Sequence, residues 1–250
     1  MNLIKLGIKL WSTNSNWYPL FVDAYKSRRV DYLELLYVPG YQQGLEILIA
    51  NKIPIIVHAP AFGQKVLFGR DKLEDSNRII QDTFNFAKKL NAEKVIVHPD
   101  VGNKEKFTAF LKANKDKKMI IENMPKIATD GSVCLGYTIE EIKEYLQLGN
   151  SGFCLDFGHA IKSALSQKIE YKHFLKKIIE LKPEIIHLCG GNTNYEIDEH
   201  LDLDRGDFDL PYLIEIIKLS SAERITFEVP KTNGLDNDLR NIEYFKRYFE

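Results

Sequence analysis

The sequence predicts a (β/α)₈ TIM barrel that forms a single domain over residues 1–250. Eight short runs rich in valine, isoleucine and leucine are spread evenly along the chain, which is typical of parallel strands buried on both faces. Stretches with apolar residues at helical spacing separate these runs and predict helices. A doubly wound open sheet is the competing fold. It more often has a glycine-rich phosphate loop after its first strand, where Gly7 stands alone here.

The predicted strands are six or seven residues long and consist mainly of β-branched residues and leucine. This length is close to that of an average strand, and near-continuous apolar runs indicate burial on both faces. In chain order the predicted strands are residues 3–9, 31–37, 53–59, 94–99, 118–124, 152–157, 184–189 and 224–229.

Helices are predicted where apolar side chains recur three and four positions apart. In the clearest helix, residues 74–90, Asp75 or Ser76 is expected to cap the first turn. Thr138 opens the capping-box sequence TIEE, and Asp209 is the predicted cap of a later helix. In chain order the predicted helices are residues 17–28, 41–51, 74–90, 104–114, 138–148, 171–182, 209–220 and 236–249.

The composition and charge argue against a disulfide-rich, a membrane-spanning and a strongly nucleic-acid-binding protein. The formal net charge of −1 creates no overall field that would attract nucleic acid or a membrane surface. Three cysteines without a short paired spacing argue against a disulfide framework and for a reducing compartment. The N-terminus lacks the apolar core of a signal peptide, and no run approaches the length of a membrane span. We therefore expect a cytoplasmic protein with no membrane partner.

Histidine and carboxylate side chains stand at the ends of six successive predicted strands. In a TIM barrel these ends share the face that carries the active site. Imidazole and carboxylate are the usual ligands of zinc and similar ions, and burying several carboxylates together without a cation is costly. The sequence therefore predicts a metal site formed by His58, His98, Glu122, Asp156, His187 and Glu228.

Two loop motifs extend this set. Asp156 and His159 form an Asp-x-x-His motif after the sixth predicted strand, and Asp198 and His200 form an Asp-x-His motif in the long loop after the seventh. Each could be a loop cap or an Asx turn. Together they would suit a separate zinc ion.

Seven motifs in this order carry a family resemblance: VHAP, VHPD, IENM, CLDFGH, IHLC, DEHLDLDRGDFDL and FEVP. They resemble the xylose isomerase-like TIM barrels, and within these the endonuclease IV group, AP endonuclease family 2. The resemblance extends from the second to the eighth predicted strand.

The resemblance implies up to three zinc ions, with manganese or another divalent ion as the alternative. It assigns them nine ligands in three groups, of which the first two share Glu122. The implied ligands are His58, His98 and Glu122 for the first ion, Glu122, Asp156, His187 and Glu228 for the second, and His159, Asp198 and His200 for the third.

The implied activity is metal-dependent hydrolysis of a phosphoester, with abasic DNA as one substrate. In this chemistry a hydroxide bridging two ions attacks phosphorus. Glu122 and Glu228 are the implied catalytic residues, since either would position or deprotonate that water.

Sugar isomerases and epimerases of the same superfamily provide the alternative. By resemblance, they would need one ion, held by Glu122, Asp156, His187 and Glu228. Two of these carboxylates, which we identify as Glu122 and Glu228, would transfer a proton. By resemblance, such enzymes often carry Arg where His200 stands and have no requirement for His58 or His98, and the presence of all three histidines favours the hydrolase.

The residues of the loops do not identify the substrate. The endonuclease IV group has a tyrosine just after the His-Ala-Pro motif, where this chain has Ala61 followed by Phe62. Cations in the loops after the strands suit the phosphate of either abasic DNA or a small sugar phosphate. The predicted substrate-binding residues are Lys65, Lys126, Arg205 and Lys231.

Overall fold

The computed structural model describes residues 4–232 and 234–249, and it confirms the TIM barrel. Eight parallel strands close in sequential order, with β8 pairing with β1. Their bounds lie within about two residues of the predicted ones. The strands are β1 Lys5–Trp11, β2 Tyr32–Leu36, β3 Ile55–His58, β4 Val95–Val97, β5 Met119–Glu122, β6 Gly152–Asp156, β7 Ile185–Leu188 and β8 Arg224–Phe227.

Helices follow the strands around the outside of the barrel. Thr138 and Asp209 cap helices as predicted, each accepting a hydrogen bond from a backbone N–H of the first turn. The helices are α1 Tyr18–Lys26, α2 Leu45–Ala50, α3 Leu73–Lys89, α4 Lys104–Ala113, α5 Ile139–Gly149, α6 Phe157–Ser166, α7 Tyr171–Ile178, α8 Leu210–Leu219 and α9 Asp236–Phe249.

Three helix predictions need correction. The cap predicted at Asp75 or Ser76 is wrong, because α3 already begins at Leu73 and places Asp75 in its first turn, where a carboxylate favours the helix dipole. The helix predicted over residues 41–51 is shortened to α2, since the left-handed Gly44 (φ 73°) precedes it. The helix predicted over residues 171–182 ends as α7 at Ile178 and continues as one 3₁₀ turn.

No helix was predicted at the position of α6. This helix begins at Phe157, directly after the last residue of β6, so no loop separates strand from helix. Its residues 157–164 are all buried, which leaves little of the polar face that marks an amphipathic helix. The Asp-x-x-His motif is therefore a helix start, in which Asp156 caps α6 and its Oδ1 accepts a hydrogen bond from the His159 N–H at 2.6 Å.

Gly7 has a packing role rather than a phosphate-binding one. A methyl group at this position would lie 2.5 Å from the ring of Tyr32, which points into the barrel. Glycine is therefore needed in β1 for the Tyr32 ring to fit. The inner layer of the barrel consists of Tyr32, Ile56, Ile96, Ile120, Cys154 and Ile185.

Within residues 4–232 and 234–249, no helix combines the length and the apolar character needed to cross a bilayer.

Candidate metal centre

The nine predicted ligands all lie on the face of the barrel at which the strands have their carboxyl ends. The parallel register brings Asp156 beside His187 and Glu122 beside Cys154 on neighbouring strands. The side chains of Glu122, Asp156 and His187 are buried, whereas His98, Asp198 and His200 are partly exposed. The nine form three groups of facing donor atoms, which we call the first, second and third ligand groups.

The first ligand group consists of His58, His98 and Glu122. The two imidazole Nε2 atoms lie 3.0 Å apart, and Glu122 Oε2 lies 3.3 Å from His58 Nε2 and 2.9 Å from His98 Nε2. His58 Nδ1 donates to the carbonyl oxygen of Ala59 at 2.6 Å, so in a neutral ring Nε2 keeps its lone pair. Three donor atoms thus converge as a cation would require.

The second ligand group consists of Glu122, Asp156, His187 and Glu228, whose donor atoms lie within 4.8 Å of one another. His187 Nδ1 is 3.2 Å from Glu122 Oε1 and 2.7 Å from Glu228 Oε1. Because the two oxygens of Glu122 face different groups, this carboxylate joins the first group to the second.

The third ligand group consists of His159, Asp198 and His200. Asp198 Oδ2 lies 3.7 Å from His159 Nε2 and 3.1 Å from His200 Nε2. His159 Nδ1 donates to the carbonyl oxygen of Asn123 at 2.9 Å, which leaves Nε2 facing Asp198. Asp156 lies beside this group as well, within 4.8 Å of the donor atoms of His159 and His200.

The loop that carries Asp198 and His200, residues 189–209, is fixed by a buried lysine. Lys162 of α6 is fully buried and donates to the carbonyl oxygens of Asn192 and Tyr195 at 2.8 and 2.7 Å. It also donates to Glu199 Oε2 at 2.6 Å. Three bonds from one ammonium group therefore hold the loop against the helix that carries His159.

The donor set fits divalent ions. Five candidate ligand atoms are buried and lie close to other donor atoms of the centre, but none makes a well-directed hydrogen bond to a residue within 4–232 and 234–249, although a buried polar atom normally has a partner. All five point into the ligand groups, where a cation would satisfy them. These atoms are Glu122 Oε1, Asp156 Oδ2, His187 Nδ1, Asp198 Oδ1 and His200 Nε2.

The carboxylates of the site are paired with imidazoles and with Lys9, which sets their pKa values. Burial raises the pKa of Glu122, but His187 and His98 beside it hold that pKa well below its usual range. Burial also raises the pKa of Glu228, and Lys9 together with His187 holds it well below its usual range. Both carboxylates are therefore ionised at neutral pH, as metal ligands must be.

Two charged residues of the site were missed in the sequence. Glu34 in β2 and Lys9 in β1 are buried beneath the second ligand group. Lys9 Nζ lies 2.6 Å from Glu228 Oε1 and 3.3 Å from Glu34 Oε1, and His187 Nε2 donates to Glu34 Oε2 at 2.8 Å. A charged residue in the middle of an otherwise apolar strand was the available signal. The Glu34 contact leaves His187 Nδ1 for a metal, a common outer-shell arrangement.

The predicted substrate-binding cations are spread around the rim. Lys231 lines the cavity above the ligand groups and forms an ion pair with the buried Asp238. Lys65 and Arg205 are exposed, and Lys126 Nζ contacts the carbonyl oxygen of Ser166 at 3.4 Å. Of the four, only Lys231 is among the described residues that line the cavity, so substrate binding by the others stays a prediction.

A cavity of about 500 Å³ opens above the ligand groups. This volume suits a small molecule or one flipped-out unit of a polymer. Six of the predicted ligands form part of its wall: His58, His98, His159, Asp198, His200 and Glu228.

Comparisons with known proteins agree with this architecture. A family model described as xylose isomerase-like TIM barrel matches residues 20–248. An uncharacterized protein of Methanocaldococcus jannaschii is 24% identical over 226 residues, which cover 82% of this chain and 73% of the relative.

Two solved structures share the fold over almost the whole chain. Endonuclease IV from Thermus thermophilus superposes with a TM-score of 0.74 at 18% identity, covering 98% of each chain. A D-tagatose 3-epimerase-like protein superposes with a TM-score of 0.70 at 19% identity, covering 98% of this chain and 97% of the other.

Proposed function

The chain belongs to the xylose isomerase-like TIM barrel family, and we propose that it is a divalent-metal-dependent phosphoester hydrolase. The observation that carries this proposal is the presence of the first and third ligand groups beside the second. A single-ion isomerase would need only the second group. The additional pair of imidazoles, His58 and His98, faces Glu122 with both Nε2 atoms within 3.3 Å of its carboxylate.

The first and second groups would hold a pair of ions through the shared Glu122. The third group would hold another ion beside Glu228, whose Oε2 lies 3.7 Å from His200 Nε2. When bound, zinc or manganese would supply Lewis-acid stabilisation of phosphoryl charge and would lower the pKa of water.

The chain's own residues prepare this chemistry. Glu122 and Glu228 are ionised and fixed in place, and they are our candidates for orienting the attacking water or accepting its proton. Lys9 donates to Glu228 and so fixes the orientation of its carboxylate. Lys9 also lines the cavity.

The substrate in this proposal carries a phosphate and is either abasic DNA or a small sugar phosphate. The structures that share the fold include endonuclease IV, whose name points to DNA. Ala61 lines the cavity where the endonuclease IV group has a tyrosine, and the near-neutral net charge gives little attraction for a duplex. These two observations favour the smaller substrate.

The test is hydrolysis by the purified full chain loaded with Zn²⁺ or Mn²⁺. The substrates are a labelled duplex with one abasic site and a small chromogenic phosphodiester. Chelation should abolish cleavage, and His98→Ala should lower it strongly, because the first group loses an imidazole. Lys104→Met is the matched control, since Lys104 pairs with the exposed Glu144 on the outer surface. A chromogenic phosphomonoester stands in for the small sugar phosphate, and failure to cleave any of the three substrates at any metal concentration would refute the hydrolase.

A metal-dependent sugar or sugar-phosphate isomerase or epimerase is the second candidate. The second ligand group favours it, because its four donors are complete without the other groups and include two carboxylates for proton transfer, Glu122 and Glu228. This enzyme should incorporate deuterium from heavy water beside the sugar carbonyl. A His58→Ala and His98→Ala double variant should retain that exchange, whereas it should lose phosphoester hydrolysis.

A further inference from the structure

Cys189, one residue beyond β7, lies in the third ligand group. It is a free cysteine with 1% exposure, and its Sγ lies within 4.8 Å of the donor atoms of Asp198 and His200. Because side chains two residues apart in extended chain point the same way, Cys189 faces the same side as His187. The end of β7 thus supplies a donor to each of two neighbouring ligand groups.

The space around the sulfur is kept clear by Gly158. A methyl group on Gly158 would lie 2.9 Å from Cys189 Sγ and 3.2 Å from both Asp156 Oδ1 and Asp198 Oδ1. Any other residue would place a carbon atom where the sulfur and the two carboxylate oxygens converge. Asp198 Oδ1 is buried and makes no hydrogen bond within the described part of the chain. A cation beside it would satisfy both this oxygen and the sulfur.

The first and third groups each have three predicted ligands, whereas structural zinc sites are almost always closed by four protein ligands. Two further donors lie beside the third group, Asp156 and Cys189, and Asp156 already belongs to the second group. The second group already has four donors. A thiolate is a soft ligand that favours zinc over manganese.

We propose that Cys189 is the fourth ligand of the third ion. Cys189 would hold the ion together with Asp198 and His200, whose donor atoms lie within 4.8 Å of its sulfur, and with His159, and it would give up its thiol proton to solvent on binding. This inference rests on the metal centre of the proposed function.

Cys154 is the competing sulfur. Its Sγ lies within 4.8 Å of the donor atoms of Glu122 and His187, in the second group. However, Cys154 packs in the inner apolar layer of the barrel with Ile120 and Ile185. It therefore serves as the matched control: a buried cysteine beside the centre whose replacement should leave the third ion unchanged.

The test uses Co²⁺ as a spectroscopic probe of sulfur ligation. The full chain is freed of metal with a chelator and titrated with Co²⁺, and bound cobalt is counted after desalting. A thiolate ligand produces a sulfur-to-cobalt charge-transfer band in the near ultraviolet. We expect the band in the unmodified chain, in Cys154→Ser and in Cys134→Ser, and its loss in Cys189→Ser.

Each other outcome overturns the inference in a distinct way. Three bound cobalt ions without the band would remove Cys189 from the ligand set and leave the proposed hydrolase intact. One bound ion without the band would contradict both proposals. Loss of the band in Cys154→Ser alone would place the sulfur ligand at the second ion. Should Cys189→Ser fail to fold, Asp198→Ala keeps the thiol but removes its co-ligand, and it should also lose the band.

Discussion

The first and third ligand groups show two ways of placing candidate metal ligands in one barrel. In the first group, His58 and Glu122 are the last residues of β3 and β5, and His98 directly follows β4. The backbone ladder of the barrel fixes their positions. In the third group, Asp198 and His200 lie on a long loop, which Lys162 holds in place. The comparison teaches that strand-borne ligands need little support, whereas loop-borne ligands depend on an added buried contact.

The largest effect is expected at the residue that links the groups. Glu122→Gln removes the charge shared by the first and second groups, so turnover should fall by at least about 10³-fold and two ions should be lost together. Elemental analysis and a hydrolysis assay measure both. The matched change Asp198→Asn should release only the third ion. If Glu122→Gln lost a single ion, a bridging role would be excluded.

Lys9→Met tests the buried charges beneath the strand-borne ligands. Removing the ammonium takes a buried counter-charge from both Glu34 and Glu228 and leaves His187 as their shared partner, so the metal-free protein should lose about 3–5 kcal/mol of unfolding free energy. Added metal should restore part of this loss. Chemical denaturation with and without Zn²⁺ gives both values. As a control, Lys172→Met breaks a pair that is more than one-third exposed and should cost far less, because solvent screens it. Equal losses in the two variants would contradict the account.

Lys162→Met tests the loop-borne group directly. Without the hydrogen bonds from Lys162, the affinity for the third ion should fall by roughly 10- to 100-fold, as for other supporting contacts around metal ligands. The affinities for the other two ions should not change, because the strands position their ligands. Competition with a chelator resolves the separate affinities. A uniform weakening of all three ions would mean that Lys162 supports the whole barrel instead.

Thr138→Ala should have the smallest effect. Thr138 caps α5 by accepting a hydrogen bond from the Glu141 N–H at 3.2 Å, and it belongs to none of the three ligand groups. The free energy of unfolding should fall by about 1 kcal/mol, with metal content unchanged. Thermal denaturation and metal analysis provide the check. A change in the number of bound ions would show that the outer helices influence the centre more than the comparison allows.

The strand-borne part of the candidate site was predictable because it depends on two regular features. Parallel strands in a barrel end on one face, and short apolar runs show where each strand ends. His58, His98 and Glu122 could therefore be placed together before their distances were known. Glu34 and Lys9 were missed because a single charged residue within a strand gives no indication of its partner, which comes from a distant strand.

The loop-borne part depended on contacts that sequence patterns do not reveal. Lys162 looks like an ordinary helix residue, and α6 itself was missed since nearly all of its residues are buried. The family resemblance predicted that Asp198 and His200 belong to one ligand group. The hydrogen bonds from Lys162 that hold their loop are seen only in the structure.

The most direct test of the account is the number of metal ions in the full chain purified without chelators. Native mass spectrometry, which weighs the folded protein with its bound ions, should find about three divalent ions per chain, and about two in Asp198→Ala. A single ion per chain, unchanged by Asp198→Ala, would contradict the three-group centre and leave only the second ligand group as a metal site.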